Sequence, residues 1–171
     1  MRDVDLLVVG DCNPDLVLAG PRVRPQFGQG ESWVEQAELV VGGTSSITAC
    51  GAARLGLRTA LAAVVGDDVL GRFMLAELAG RDVDTTACVV DTSAPTGISA
   101  VLVEPDDRAT LTFRGTIGAG DSTNAGWLAG VRSGWPVERA AALAAACGSL
   151  STRGRGGTAT QPTMAEALAR L

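Results

Sequence analysis

The segment GAGDSTNAGWLAG, residues 118–130, holds the densest chemistry in the chain. Gly118 and Gly120 carry no Cβ, so the backbone there can turn tightly and approach a ligand. A helix is predicted over 122–131, and the unpaired N–H groups of its first turn, with the helix dipole, favour an anion. Asp121 stands at this helix start. A carboxylate would repel a phosphate bound for its own sake. It suits a hydroxyl that must lose its proton before attacking phosphorus. Asn124, three residues on, shares the helix face. A capping aspartate behind a glycine turn would also account for a bare GxGD.

Two further segments can touch a polar ligand. GDCNPD at 10–15 follows an apolar run, and Asn13 and Asp15 there could hold hydroxyls, since an ionised carboxylate accepts at two oxygens. Gly42, Gly43 and Thr44 form a second turn before a helix. Each also has a plain structural reading. Asp15 could shape a turn, Gly42–Gly43 could supply a left-handed one, and Thr44 or Ser45 could cap the helix. The chain contains no histidine, which excludes Ser-His-Asp and Cys-His catalysis and histidine-ligated zinc within it. Cys12, Cys50, Cys88 and Cys147 lie far apart with no C-x-x-C pair. They read as small buried hydrophobes, and no metal site is expected. Cys12 stands apart because it sits in the GDCNPD loop.

These residues need elements to position them. Residues 5–10 and 59–65 read as strands buried on both faces. Residues 16–41 alternate in short stretches that suit antiparallel strands, and 97–103 with 109–113 flank the turn EPDDR as a hairpin. A short strand is predicted over 87–90. Helices are predicted from Thr44 or Ser45 to about 54, over 69–79, over 137–150 behind Pro136, and over 164–170. RGRGGTAT at 153–160 reads as a Gly-rich loop. VVGD occurs at 8–11 and again at 64–67, which marks two similar strand ends rather than an internal repeat. Strands alternating with helices define an α/β class with a largely parallel sheet.

Composition narrows the functions. The 171 residues suit one domain. Fourteen basic against nineteen acidic residues give a net charge of −5, and three Trp with three Phe are the only aromatics, so nucleic-acid binding is not expected. The apolar run at 6–9 is too short for a signal-peptide core, and no stretch approaches a membrane span. A cytoplasmic protein is expected. The first strand ends in GDCNPD rather than G-x-G-x-x-G, so the dinucleotide fingerprint of a nicotinamide oxidoreductase is missing.

GAGDSTNAGWLAG resembles the C-terminal signature of the ribokinase-like (PfkB) carbohydrate kinases. GDCNPD is similar to the family's first strand end. VVGGTSSITACGAARLGLRTALAAVVGDDVLG at 40–71 resembles its N-terminal signature, TGISAVLV with ATLTF its lid hairpin, and 144–168 its C-terminal tail. The resemblance implies one ribokinase-like domain over 1–171, with lid segments at about 16–41 and 96–113 and an anion-hole helix region at 116–171. It implies an ATP-dependent kinase that phosphorylates a hydroxyl of a sugar or nucleoside. Magnesium would be held mainly by the nucleotide phosphates. By position, Asp121 would be the catalytic base. The amides of Gly118, Ala119 and Gly120, with that of Asp121, would form the anion hole, such donors contributing ~100–1000-fold each. Asn13, Asp15, Gly42, Gly43 and Thr44 would bind the sugar, and the lid would exclude water.

Three departures from the family stand out. Ile47 replaces the usual Asn. Gly115 replaces the Asp of an Asp-Thr-x-Gly run, which argues against a monovalent-cation site. ATLTFRG also runs directly into TIGAGD near Arg114–Thr116. At ~30 residues per βαβ unit, on the order of a hundred residues of the central region are missing. The family's Asn-x-x-Glu motif goes with them, since Asn13 and Asn124 are the only asparagines. Such a shortening would expose strand edges, leaving a homodimer through the lid or sheet edge as one way to cover them. A non-catalytic sugar- or anion-binding remnant, or an associating subunit, is the alternative to an active kinase.

Overall fold

A computed structural model describes residues 4–28, 30–113, 119–153 and 158–171. Its organising feature is a parallel sheet, β1(Leu6–Val9), β4(Thr59–Ala62) and β6(Val83–Asp84), in the order β1-β4-β6. The short apolar run LLVV pairs in register with TALA, Leu6 opposite Thr59 and Val9 opposite Ala62. TALA is buried throughout, as expected of a central strand. A parallel two-stranded extension follows, β5(Val64–Gly66) with β7(Val89–Asp91). The strand predicted over 59–65 therefore divides. Its first half pairs with β1 and β6, its second with β7, and Val89 N–H donates to the Ala63 carbonyl at the changeover.

Helix α1(Thr44–Arg54) follows the Gly42–Gly43 turn, and α2(Val69–Ala79) occupies the residues its periodicity predicts. Both pack on the strands, where Ala49, Leu61, Val65, Met74 and Leu78 form a core with Cys12. Asp68 caps α2, accepting from Gly71 N–H at 2.8 Å. The same carboxylate accepts from Thr96 N–H and Oγ1, and Thr96 Oγ1 accepts the buried Gly66 N–H at 2.8 Å. This knot ties the second VVGD strand end to the segment that enters the hairpin.

A four-stranded sheet stands apart from the core: β2(Pro14–Ala19), β3(Gln36–Val41), β8(Ile98–Glu104) and β9(Asp107–Phe113), in the order β3-β2-β8-β9. The predicted antiparallel pair and hairpin are both present. Only the parallel pairing of β2 with β8 joins them, Asp15 opposite Ser99 and Ala19 opposite Val103. This separate sheet gathers the segments that the resemblance expects to form a lid. ATLTF belongs wholly to it as β9, so no part of that strand is left over to precede the helix carrying Asp121.

That helix, α3, spans Ala119–Arg132, three residues longer at its start than periodicity predicts. It packs along α4(Val137–Ser151) through small residues. A Cβ on Gly126 would lie 2.9 Å from Ala144 Cα, and one on Gly130 would lie 2.8 Å from Ala140 Cα. The short α5(Met164–Leu168) closes the chain with a reciprocal capping box between Thr163 and Glu166. Gly118, the 114–116 junction and residues 154–157 of the Gly-rich loop lie outside the described residues. Among the described residues no helix is long and apolar enough to cross a membrane.

Candidate functional site

The loop after β1 and the turn before α1 meet through Asp11. Its carboxylate accepts Thr44 N–H at 2.9 Å and Ser45 N–H at 3.0 Å, and its carbonyl accepts Ser46 Oγ at 3.0 Å. Thr44 is thus the first helical residue rather than the cap. Gly43 holds the cap position with φ 78° and no side-chain hydrogen bond, so a remote aspartate does the capping. A Cβ on Gly43 would come 2.9 Å from Asp11 Oδ2, so this position needs glycine for both its backbone and its neighbour. Gly42 N–H donates to the Asn13 carbonyl at 3.1 Å, and a Cβ on Gly42 would overlap the Asp15 carboxyl.

The resulting pocket is open and two-sided. Asp11, Asn13, Gly43, Thr44 and Ile47 line one wall. The lid supplies the other through one face of its strands: Asp15 and Val17 on β2, Ser99, Val101 and Val103 on β8, and Arg108, Thr110 and Thr112 on β9. This every-second-residue pattern is the strand alternation itself. Asn13, Asp15, Gly43 and Thr44 are therefore brought together, with Gly42 directly behind Asp15. Burial raises the Asp15 carboxyl above its ordinary range and the Asp11 charge adds to this, against a hydrogen bond with Ser99 that lowers it.

A second cleft shares Asp11 and Asn13 and reaches α3 and α4 through Thr123, Ser149 and Thr152. Thr123 is buried two residues beyond Asp121, which places the first turn of α3 beside the GDCNPD loop. Asp121 itself is exposed and is not among the residues around the Asp11–Asp15 pocket. Ala119 and Gly120 lie in the same first turn. Among the described residues the buried Ser122 Oγ meets no hydrogen-bond partner. In the second cleft Ser149 Oγ donates to Asp91 at 2.8 Å. Burial pushes the Asp91 carboxyl upward, but hydrogen bonds from Ser93 and Ser149 outweigh it and hold the group low.

Burial pushes the Cys12 thiol up to about 11, so it stays protonated at neutral pH. Among the described residues no three His, Cys, Asp or Glu side chains group to hold a metal ion. Residue types alone miss Asp11, Ser99 and Arg108. The duplicated VVGD was the available signal for Asp11, since both copies end a strand on an acid that caps or leads to a cap. Ser99 and Arg108 become legible only once the β2–β8 pairing is known.

An α/β core with a separate β sheet over a polar pocket, followed by a helix that carries Asp121 in its first turn, is a ribokinase-like arrangement. The chain belongs to the pfkB carbohydrate kinase family, whose signature matches residues 3–116 and 112–164. The two matched stretches overlap at residues 112–116, beside the junction that the sequence marks near Arg114–Thr116. The chain is 37% identical over 118 residues to 5-dehydro-2-deoxygluconokinase of Bacillus anthracis, covering 68% of this chain and 34% of that protein. It thus spans about a third of the length of such relatives. An uncharacterized sugar kinase from Pyrococcus horikoshii, solved in complex with ATP, superposes with a TM-score of 0.54 at 26% identity. That match covers 64% of this chain and 34% of the archaeal one. A putative ribokinase from Agrobacterium tumefaciens shares the fold with a TM-score of 0.58 at 20% identity, over 82% of this chain and 57% of that one.

Proposed function

We propose that this chain phosphorylates a hydroxyl of a sugar or nucleoside with ATP as donor. The observation that carries this reading is the convergence of Asn13, Asp15, Gly43 and Thr44 on a pocket roofed by the lid. The start of α3 lies beside the same loop. In this reading Asn13 and Asp15 hold acceptor hydroxyls, and the lid excludes water that would otherwise take the phosphoryl group. Asp121 removes the proton from the attacking oxygen. That oxygen bonds to the γ-phosphorus as the bond to the leaving ADP oxygen breaks. The amides of Gly118, Ala119 and Gly120, with that of Asp121, receive the charge developing on the transferred group. Magnesium would enter with the nucleotide and neutralise its phosphates, since the described residues offer no ligand cluster of their own. The Pyrococcus relative's complex with ATP supports the choice of donor.

ADP release over a panel of pentoses, hexoses, hexonates and nucleosides tests this, with Asp121→Asn as the control. Turnover that survives Asp121→Asn overturns the role of Asp121. No ADP release with any acceptor overturns the kinase reading.

The chain's span of about a third of its relatives favours a second reading, a non-catalytic binder of sugars built on the same pocket. It predicts that a sugar raises the melting temperature while ATP is not consumed, and that copies associate with concentration.

A further inference from the structure

Helix α4 meets the rest of the molecule mainly through small side chains, since most of its buried residues are Ala or Gly. Small faces allow close approach, but their ridges are shallow and fix poorly how far one element slides along another. A directional bond supplies what the packing lacks. Ser149 Oγ, near the end of α4, donates to Asp91 Oδ2 at 2.8 Å across 58 residues of sequence. Thr152 Oγ1 donates to the Ser149 carbonyl at 2.8 Å and steadies that last turn. On the core side the acceptor is fixed. Asp91 Oδ1 accepts Ser93 N–H at 2.7 Å and Ser93 Oγ at 2.6 Å. The Asp91 carbonyl accepts Asp67 N–H at 3.2 Å, and Asp91 pairs with Gly66 at the end of β7. Ser149 and Asp91 both line the cleft that also holds Asp11, Asn13 and Thr123.

Helix register carries this bond to α3. Gly126 lies against Ala144 and Gly130 against Ala140, so four residues along α3 match four residues back along α4. One more step of the same register sets Ser122 level with Gly148, and Asp121 level with Ser149. Because the two helices touch backbone to backbone at these glycines, a shift of α4 on the core carries Asp121 with it. A slip of one residue moves the carboxylate by ~1.5 Å along the axis. Misplacement on the order of 1 Å costs an enzyme about 100-fold in rate.

We propose that Ser149 and Asp91 are the positioning pair of this site, their bond setting the height of α3 on the core and so the reach of Asp121 toward the acceptor hydroxyl. The proposal rests on the phosphotransfer reading above and gives neither residue a part in the chemistry itself.

The test compares the full chain with Ser149→Ala and Ser149→Thr in two assays. The first is steady-state ADP release with saturating ATP and the best acceptor of the panel above, well below the melting temperature of each variant. Ser149→Ala is expected to lower kcat ~10- to 100-fold and to leave the acceptor KM within about twofold, because the acceptor pocket keeps its own residues. Ser149→Thr keeps the hydroxyl and should recover most of the loss. The second assay reads docking without turnover. Cys12 is buried on the wall of the cleft, whereas Cys50 lines a separate hollow on α1. N-ethylmaleimide, followed by peptide mass spectrometry, should label Cys12 ~10-fold faster in Ser149→Ala than in wild type, with Cys50 unchanged and Ser149→Thr close to wild type. An unchanged kcat, a loss that falls on KM, or a loss that Ser149→Thr does not recover overturns the assignment. So does an unchanged Cys12 rate. If the wild type releases no ADP with any acceptor, the kinase reading falls and the labelling decides the docking bond. Faster Cys12 labelling in Ser149→Ala then upholds the bond as the pin of α3 and α4, and equal labelling overturns it.

Discussion

The carboxylate of Asp11 accepts the backbone N–H of Thr44 at 2.9 Å across 33 residues of sequence. With the bond from Ser45, this turns the first strand end into the N-terminal cap of α1. The acceptor loop and the Gly42–Gly43 turn are thereby held as one unit. Removing the carboxylate should cost about 1–2 kcal/mol, the ordinary worth of a cap. Asp11→Ala should therefore lower the melting temperature by about 2–8 °C, and Asp11→Asn by less. Thermal melts of both variants check this, and an unchanged Asp11→Ala would show that α1 does not depend on the remote cap.

Asp121 separates chemistry from stability. It is exposed in the first turn of α3, so Asp121→Asn should leave the melting temperature within about 2 °C, because a first-turn charge contributes less than about 1 kcal/mol. Phosphotransfer, if Asp121 is the base, should fall by ~100- to 10,000-fold. Steady-state ADP release beside a melting curve reads both quantities.

Asp5 and Asp15 should pull stability in opposite directions with pH. Hydrogen bonds from the Arg58 side chain and backbone hold Asp5 at about 2, so its contribution is present above the ordinary 3.8 and is lost as pH falls toward 2. Burial raises Asp15, so its contribution is full below 3.8 and is lost as pH rises through the higher folded value. Asp15→Asn should therefore melt above wild type at pH 7, and the gap should close below pH ~4. Asp5→Asn should melt below wild type at pH 7, with that gap closing as the pH approaches 2. Melting temperatures between pH 2 and 7 for both variants check the two signs.

Close packing of α3 on α4 depends on glycine. Gly130→Val would place its new Cβ 2.8 Å from Ala140 Cα and push the helices apart. A loss of about 1–3 kcal/mol is expected, read as a lower denaturation midpoint in urea. Gly51 offers a control, since a Cβ there meets nothing within 4 Å. Gly51→Ala should be neutral or stabilising in the same assay, because alanine is the better helix former.

Much of this protein is local and could be read from residue order. The periodicity of Leu70, Phe73, Met74, Leu75 and Leu78 gives α2 its limits, since Met74 and Leu78 are buried in the core and Phe73 and Leu75 pack against it. The turn at 105–106 registers β8 on β9, and the glycines of GAGDSTNAGWLAG announce a helix start with a carboxylate beside it. Such features depend on neighbours a few residues apart, so propensity and spacing determine them. Tertiary structure decided the rest. Asp11 caps a helix 33 residues away, and Thr59–Gly66 divides between two sets of partners. The parallel β2–β8 pairing puts Arg108 on the same face as Asp15. Strand partners far apart in sequence are chosen by burial and backbone hydrogen bonding in the assembled core, and a one-residue shift would turn Arg108 away from the pocket.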